Sequence, residues 1–166
     1  MTWNGDAFPF PSWEADQDLN SAMQNSVNWY FQAIDSQLGI NRVQEFLNKI
    51  EYGNQTHRSN MDLYLSDFSS TLLKKFNTNE FHLNFQNVFS VKNAIKIAST
   101  PNGNFYGKTG TGRVNGQDIN GWFIGYVETS DNSYYFATNI QSDSNATGKK
   151  AFEITSDILK KLHIWN

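Results

Sequence analysis

The chain has 166 residues, which is the usual length of one domain and enough to enclose a hydrophobic core. Hydrophobic residues make up 39% of it, including 13 Phe, 7 Tyr and 5 Trp, so the composition excludes an intrinsically disordered protein. The formal net charge of -3 and the scattered basic residues argue against a nucleic-acid or membrane-surface binder, and the absence of cysteine excludes disulfides and thiolate catalysis.

A long helix is predicted after an extended entry segment. Residues 1–13 are rich in aromatic residues and proline, which indicates a loop. Asp16 or Asp18 suits the helix start, because a carboxylate there faces the positive end of the helix dipole. Residues with the spacing of one apolar face continue to Gly39, a typical residue at a helix C-terminus: Leu19, Met23, Val27, Tyr30, Ile34 and Leu38.

Three shorter helices are predicted before residue 101. One extends from Asn41 to about Ile50, and the pattern breaks at Gly53-Asn54. Its expected buried residues are Val43, Phe46, Leu47 and Ile50. Apolar residues within 72–76 indicate a short helix, and "FSVKNAIKIAS" (residues 89–99) has helical spacing. Residues 55–71 are polar with a weak apolar period and predict no element of their own.

The apolar period changes to that of strands after the turn Pro101-Asn102-Gly103. Three strands are predicted there: 104–112, 120–129 and 133–141. An amphipathic helix from Asn145 to Leu162 closes the chain, and its apolar face is expected to contain Ala151, Ile154, Ile158 and Leu159. We therefore predict an α+β fold in a single domain, helical over residues 1–100, with an antiparallel sheet and a last helix over residues 101–166.

No metal, cofactor or membrane-spanning segment is expected. His57, His82 and His163 lie far apart and match no metal-ligand spacing, so each is interpreted as a surface or partly packed residue. No apolar run has transmembrane length, and residues 1–15 lack the pattern of a signal peptide. Expressed as written, the chain is therefore expected in the cytoplasm.

A glycine-rich strand around Lys108 is the first candidate site. Glycine inside a strand weakens packing and often marks a place where a ligand or another backbone comes close. An extended ligand with a carboxylate could lie along this strand as an added strand would. Gly110 would allow its approach, Lys108 would supply positive charge, and Thr109 and Thr111 would donate hydroxyl hydrogen bonds. An edge strand protected by a charge and glycines is the structural alternative.

Two short motifs gain meaning only beside this strand. Ser26-Val27-Asn28 on the first predicted helix is, by itself, typical of a solvated polar face. Tyr52-Gly53-Asn54 is, by itself, typical of a turn. A serine hydroxyl beside an ammonium group can pass a proton, so Ser26 becomes a candidate for catalysis if it lies near Lys108.

Together, the three motifs resemble those of the serine β-lactamase and penicillin-binding superfamily. The segments "WEADQDLNSAMQNSVNWYFQ", "EYGN" and "YGKTGTG…NGWFIGYVE…YYFATNIQ" are most similar to class D (OXA-type) β-lactamases and to the homologous penicillin-sensor domain of Gram-positive receptors. The likeness extends from Thr2 to about Leu162. It implies an antiparallel sheet flanked by a helical lobe, with the active site between them.

The resemblance also implies roles for individual residues. Ser26 would shuttle a proton to the leaving nitrogen of the substrate, and Lys108 would polarise Ser26 and attract the substrate carboxylate. Asn28, together with Thr109, Gly110 and Thr111, would bind the substrate. The main-chain N–H of Thr111 would form half of the oxyanion hole.

The nucleophile of the superfamily has no counterpart in these residues. Family members acylate a serine in a Ser-x-x-Lys motif, whose lysine is carboxylated in class D enzymes. No serine here has a lysine three residues later; Thr71…Lys74 and Thr147…Lys150 have threonine and lie in the wrong part of the chain. We therefore expect an N-terminally truncated domain, an incomplete β-lactamase/transpeptidase-like fold that lacks the nucleophile and the first strands. Residues 55–71 also depart from the family pattern, and no role is assigned to them.

Three interpretations follow. The first is a fragment of a class D β-lactamase-like protein, unable to hydrolyse β-lactams alone. The second is the C-terminal part of a sensor domain that binds penicillin as a signal, and the third is a non-catalytic interaction module. The expected ligand is a β-lactam or a small molecule resembling a peptidoglycan peptide. A partner chain or a missing N-terminal segment is expected to cover exposed apolar surface. By resemblance, the native location is extracellular or in the cell envelope.

Overall fold

The computed structural model describes residues 1–52 and 69–165. Their elements run from helices to an antiparallel sheet and a final helix, which confirms the predicted α+β class. The described residues cluster in two compact units. The helical unit contains residues 1–52 and 76–95, and the sheet unit contains residues 69–75 and 96–165.

The helices follow a short 3-10 turn at Pro11–Trp13. They are α1 (Leu19–Asn25), α2 (Asn28–Leu38), α3 (Ile40–Lys49), α4 (Ser69–Asn77), α5 (Phe85–Ala94) and α6 (Gly148–Lys161). The strands are β1 (Lys96–Thr100), β2 (Gly103–Val114), β3 (Gln117–Thr129) and β4 (Ser133–Gln141).

Two helices, and not the single predicted one, occupy residues 19–38. Asp18 caps α1, since its side chain accepts a hydrogen bond from the Ser21 N–H at 2.7 Å. The helix then ends at Ser26, which has φ 53° and ψ 47° in the left-handed region. Val27 N–H returns to Ala22 O at 2.9 Å, and the Val27 side chain is fully buried. The prediction missed this break because the apolar spacing continues through it.

Helix α3 begins one residue before its predicted start, but only part of its predicted buried face is buried. Leu47 is 7% exposed, whereas Phe46 is 47% exposed, so its predicted burial is wrong. Phe46 is adjacent to Leu47 and therefore projects about 100° away from it around the helix. The predicted break at Gly53-Asn54 and the stretch from residue 55 to 68 lie outside the described residues.

Among the described residues the sheet has four strands in the order β1-β2-β3-β4, each antiparallel to the next. The three predicted strands are present, and β1 is the one that was missed. The helix predicted over 89–99 ends at Ala94, and residues 96–100 turn back at Pro101-Asn102 to pair with the start of β2. The short run of alternating apolar residues fits a helix or a strand, and pairing with β2 decides between them.

The core of the sheet unit lies between one face of the sheet and α6. Phe105, Phe123 and Val127 of the sheet contact Ala151 and Leu159 of the helix, and all five are at most 4% exposed. The buried row of α6 is completed by Thr155, whose hydroxyl bonds Thr138 of β4 at 2.7 Å. Ile154 and Ile158 were predicted to face the core, but they are 37% and 47% exposed.

Candidate functional site

The half of β2 that carries Lys108 forms an edge of the sheet. Strand β1 pairs with Gly103–Tyr106 only. From Gly107 to Val114, β3 is the only strand of the described chain that pairs with β2. An extended ligand can therefore approach the Lys108 half from the side opposite to β3 and use main-chain groups as an added strand would.

The side chains of this half alternate between two faces of the sheet. Thr109 and Thr111 lie on the face covered by α6: the Thr111 hydroxyl accepts a hydrogen bond from the Gly148 N–H at 2.9 Å. Lys108 and Gly110 lie on the opposite face. The Thr111 hydroxyl is thus held by the helix and keeps its own O–H to donate.

Gly107 and Gly110 of this strand differ in whether packing requires glycine at their positions. A Cβ at Gly107 would come within 2.6 Å of the Phe123 ring and 2.9 Å of Ile124 O, so core packing requires glycine there. A Cβ at Gly110 would meet only the Trp122 Cβ, at 3.8 Å, which is an ordinary contact. Packing therefore does not require glycine at 110, and the strand is open there to the close approach of a ligand.

Lys108 is half-buried, and its Nζ donates to Thr109 O at 2.8 Å. Loss of solvent on burial lowers the pKa of its ammonium group below the ordinary value. A charge in this less hydrated position attracts a carboxylate more strongly than one in bulk water. The lowered pKa also makes the ammonium a better proton donor to a neighbouring hydroxyl.

Stacked tyrosine rings cover part of the face of the sheet on which Lys108 lies. The Tyr106 and Tyr126 rings stack with centroids 4.6 Å apart, and Tyr126 and Tyr135 with centroids 5.4 Å apart. Burial and then the Glu128 carboxylate raise the pKa of Tyr106 to about 12. Sequence reasoning missed this stack, since its members belong to three different strands.

Ser26 and Asn28 are both exposed and flank the fully buried Val27 at the break between α1 and α2. The break turns their polar side chains outward while Val27 anchors the chain. They belong to the helical unit, whereas Lys108, Thr109, Gly110 and Thr111 belong to the sheet unit. The structure thus brings the strand residues together, and the pairing of Ser26 with Lys108 stays a prediction.

In the third motif, burial raises the pKa of Tyr52, while Gly53-Asn54 lies outside the described residues.

Sequence reasoning also missed Gly148 at the start of α6. Besides holding the Thr111 hydroxyl, it lies so close to β2 that an added Cβ would be 2.6 Å from Gly110 O. No local pattern could have indicated it, because 37 residues separate Gly148 from Thr111.

Within residues 1–52 and 69–165, no group of three or more His, Asp or Glu side chains could hold a metal ion. Among the same residues, no helix combines the length and the apolar character needed to cross a bilayer. A polar cleft lies at the far end of the sheet, where the turns at 101–102 and 130–132 and Glu128 line it.

Comparison with known proteins gives one family match. The family described as "Transpeptidase: Penicillin binding protein transpeptidase domain" matches residues 1–69 and 72–160. The chain is 41% identical over 172 residues to the regulatory protein BlaR1 of Bacillus licheniformis, covering 99% of this chain and 29% of BlaR1. It thus spans less than a third of that relative.

Solved structures are similar along the whole chain, and two of them illustrate this. The C-terminal domain of the Bacillus licheniformis BlaR penicillin-receptor has a TM-score of 0.93 and 40% identity, covering 100% of this chain and 70% of that one. A class D β-lactamase from Bacillus subtilis has a TM-score of 0.89 and 32% identity, covering 100% and 71%. These matches confirm the resemblance inferred from the motifs.

Proposed function

This chain belongs to the family of penicillin-binding protein transpeptidase domains, and we propose that it forms the β-lactam-recognising part of a penicillin-receptor domain. One observation carries the proposal: the Lys108 half of β2 is a sheet edge, and it contains a glycine, Gly110, that packing does not require. The similarity to the BlaR penicillin-receptor domain, at 40% identity, supports the receptor over a hydrolase, for which the identity is 32%.

Each candidate residue has a task in this proposal. The β-lactam lies along β2 beside Gly110, and its carboxylate pairs with the Lys108 ammonium, assisted by the hydroxyls of Thr109 and Thr111. The Thr111 N–H faces the β-lactam carbonyl oxygen and supplies half of an oxyanion hole. Asn28 contacts the ligand amide.

Ser26 and Lys108 act as a proton relay in the same proposal. When the β-lactam C–N bond breaks, the Ser26 hydroxyl gives its proton to the leaving nitrogen, and Lys108 returns one to Ser26. The bond itself must be attacked by a nucleophile, and these 166 residues contain no Ser-x-x-Lys motif. We therefore expect this chain by itself to bind β-lactams reversibly, without acylation or turnover.

A class D β-lactamase is the second candidate function. The similarity to the Bacillus subtilis enzyme, with a TM-score of 0.89, favours it. Both functions use the same recognition strand, so they differ in the fate of the bound β-lactam: a receptor keeps it and an enzyme hydrolyses it. A peptide resembling the peptidoglycan stem is the related natural ligand for either.

Location and partners follow from the receptor proposal. We place the domain at the outer side of the cell envelope, where it would meet a β-lactam before the drug reaches the cytoplasm. Several large apolar side chains are more than half exposed, namely Phe10, Ile40, Phe85, Phe89, Val114 and Leu162. We propose that chain outside these residues, or a partner, covers part of this apolar surface.

A fluorescent penicillin tests the proposal. Fluorescence polarisation should show saturable binding, and Lys108→Ala should weaken it by roughly 10- to 100-fold, since a hydrogen bond between charged groups contributes about 1.5–3 kcal/mol. Lys96→Ala is the matched control, because this lysine lies on the same sheet but is exposed on β1. After denaturation no label should remain on the chain. Equal binding by the Lys108→Ala variant, or a covalently labelled band, would contradict the proposal.

A further inference from the structure

The break between α1 and α2 is hydrogen-bonded to the entry segment on both of its sides. Asn25 is the last residue of α1, and its carbonyl oxygen accepts a hydrogen bond from the Trp13 indole at 3.0 Å. Trp29 lies in the first turn of α2, and its indole donates to the Trp13 carbonyl oxygen at 2.9 Å. Trp13 therefore connects the end of one helix to the start of the next across Ser26 and Val27. We name these two hydrogen bonds the indole bridge.

The indole bridge fixes the main chain beside the left-handed residue. The last four carbonyl groups of an α-helix have no donor within the helix. At the end of α1, the Trp13 indole supplies a donor to Asn25 O, which belongs to the peptide group before Ser26. The peptide group after Ser26 is held by the Val27 N–H, which donates to Ala22 O at 2.9 Å. Ser26 thus lies between two hydrogen-bonded peptide groups, and this restricts its φ and ψ angles.

Other contacts of the entry segment hold Trp13 in place. Trp13 ends the 3-10 turn, and its N–H donates to Phe10 O at 2.9 Å. The rings of Phe8 and Phe10 lie against its indole, with centroids 5.7 and 5.4 Å away. The side-chain amide of Gln17, which is 4% exposed, donates to Ser12 O at 2.9 Å, next to Trp13 in the chain. Because these contacts order the indole already, it loses little conformational freedom when it bonds the break.

We infer that Trp13 and Trp29 are positioning residues for the Ser26-Val27-Asn28 motif. Their indole bridge keeps Ser26 in its left-handed conformation and thereby fixes where the Ser26 and Asn28 side chains lie. The left-handed region is unfavourable for serine, and such a conformation persists where the surrounding structure determines it. The indole bridge is that surrounding structure. The inference rests on the proposed function, in which Ser26 and Asn28 meet the β-lactam.

Hydrogen exchange at the Val27 N–H tests the indole bridge itself. This N–H bonds Ala22 O only while Ser26 is left-handed, so its exchange rate reports local opening of the break. Trp13→Phe keeps an aromatic ring and removes the indole N–H. We expect it to speed exchange at Val27 by roughly 2- to 10-fold, the factor that one hydrogen bond typically contributes. Trp29→Phe should have a similar effect, because it breaks the other half of the bridge.

Trp3→Phe is the matched control. Trp3 lies in the same entry segment, and its indole donates to Asp6 O at 2.9 Å, a residue outside the break. This variant also loses one indole hydrogen bond, but it leaves the indole bridge intact. Exchange at Val27 and the binding of penicillin should therefore be unchanged.

Fluorescent penicillin tests the positioning role. Trp13→Phe should weaken its binding about threefold or more, because the fraction of chains with Ser26 in the binding-competent conformation falls. In the Ser26→Gly background the same substitution should change the binding less than about twofold, because glycine adopts that conformation without the indole bridge. A purely structural role of Trp13 would weaken the binding equally in both backgrounds.

Three results would overturn the inference. They are an effect of Trp13→Phe no larger than that of Trp3→Phe, an undiminished effect in the Ser26→Gly background, and faster exchange at Val27 with unchanged penicillin binding. If the unsubstituted chain bound no penicillin, the proposed function would fail instead. Exchange at Val27 would then still decide whether the indole bridge holds the break.

Discussion

Ser26 occupies a position that favours glycine. Its left-handed backbone ends α1, and the hydrogen bonds from Ser26 N–H to Met23 O and from Val27 N–H to Ala22 O form a Schellman motif. The sequence motif identified Ser26 as a candidate, but the conformation was not predictable, since serine rarely adopts it. A strained backbone retained at a polar, exposed residue is typical of functional sites.

A pair of substitutions at Ser26 tests this interpretation. Ser26→Gly and Ser26→Ala both remove the hydroxyl, but only glycine adopts φ 53° without a steric cost. We expect the glycine variant to be more stable than the alanine variant by roughly 1 kcal/mol, measured by urea unfolding. Equal stability of the two variants would show that the left-handed conformation is not adopted in solution.

Substitutions of two glycines of β2 distinguish a role in packing from a role in ligand binding. Gly107→Ala should destabilise the fold by about 1–3 kcal/mol, because its methyl group would collide with Phe123. Gly110→Ala should change the free energy of unfolding by less than about 1 kcal/mol, since its methyl group would meet only the Trp122 Cβ, at an ordinary contact distance. Only Gly110→Ala should weaken penicillin binding while leaving the fold intact. Thermal unfolding measures the stability of both variants, and fluorescence polarisation measures their penicillin binding. Unchanged penicillin binding by the Gly110→Ala variant would refute the role of Gly110.

At the scale of elements, the sequence predicted those with a strong local period and missed those that depend on distant contacts. The α3, α4 and α6 helices and strands β2 to β4 agree with their predicted positions to within a few residues. β1 exists because it pairs with β2, and α6 buries Thr155 and leaves Ile158 exposed because of how it lies on the sheet. Neither contact leaves a signal in local spacing.

The tyrosine stack across β2, β3 and β4 predicts a loss of stability at alkaline pH. In the folded state the pKa of Tyr106 is about 12, against an ordinary value of 10.0. Between these values the unfolded chain releases the Tyr106 proton while the folded chain retains it. The free energy of unfolding is therefore unaffected by this group below pH 10 and falls as the pH rises above 10. Urea unfolding from roughly pH 9 to 11.5 should show this fall.

Tyr106→Phe should make that fall shallower, because phenylalanine has no proton to lose. Tyr134→Phe is the control, because Tyr134 lies on β4 and is 37% exposed. If both variants lose stability with pH as steeply as the unsubstituted chain does, the buried Tyr106 hydroxyl is not the cause.

At the scale of the whole molecule, the family was predictable because its motifs are short, local and in a set order. The pairing of Ser26 with Lys108 stays a prediction, since about half of the chain separates these residues and they belong to different compact units. The free edge of β2 beyond Tyr106 was equally hidden from sequence reasoning, because an edge is defined by which strands pair.

An amide NMR titration with benzylpenicillin tests the central claim most directly. In the ¹⁵N-labelled chain, we predict saturable shifts at residues 107–112 of β2, with β4 unaffected. In the Lys108→Ala variant the same shifts should require a much higher penicillin concentration. Shifts confined to the polar cleft around Asn102 and Asp131, with residues 107–112 unchanged, would contradict the claim that this strand recognises β-lactams.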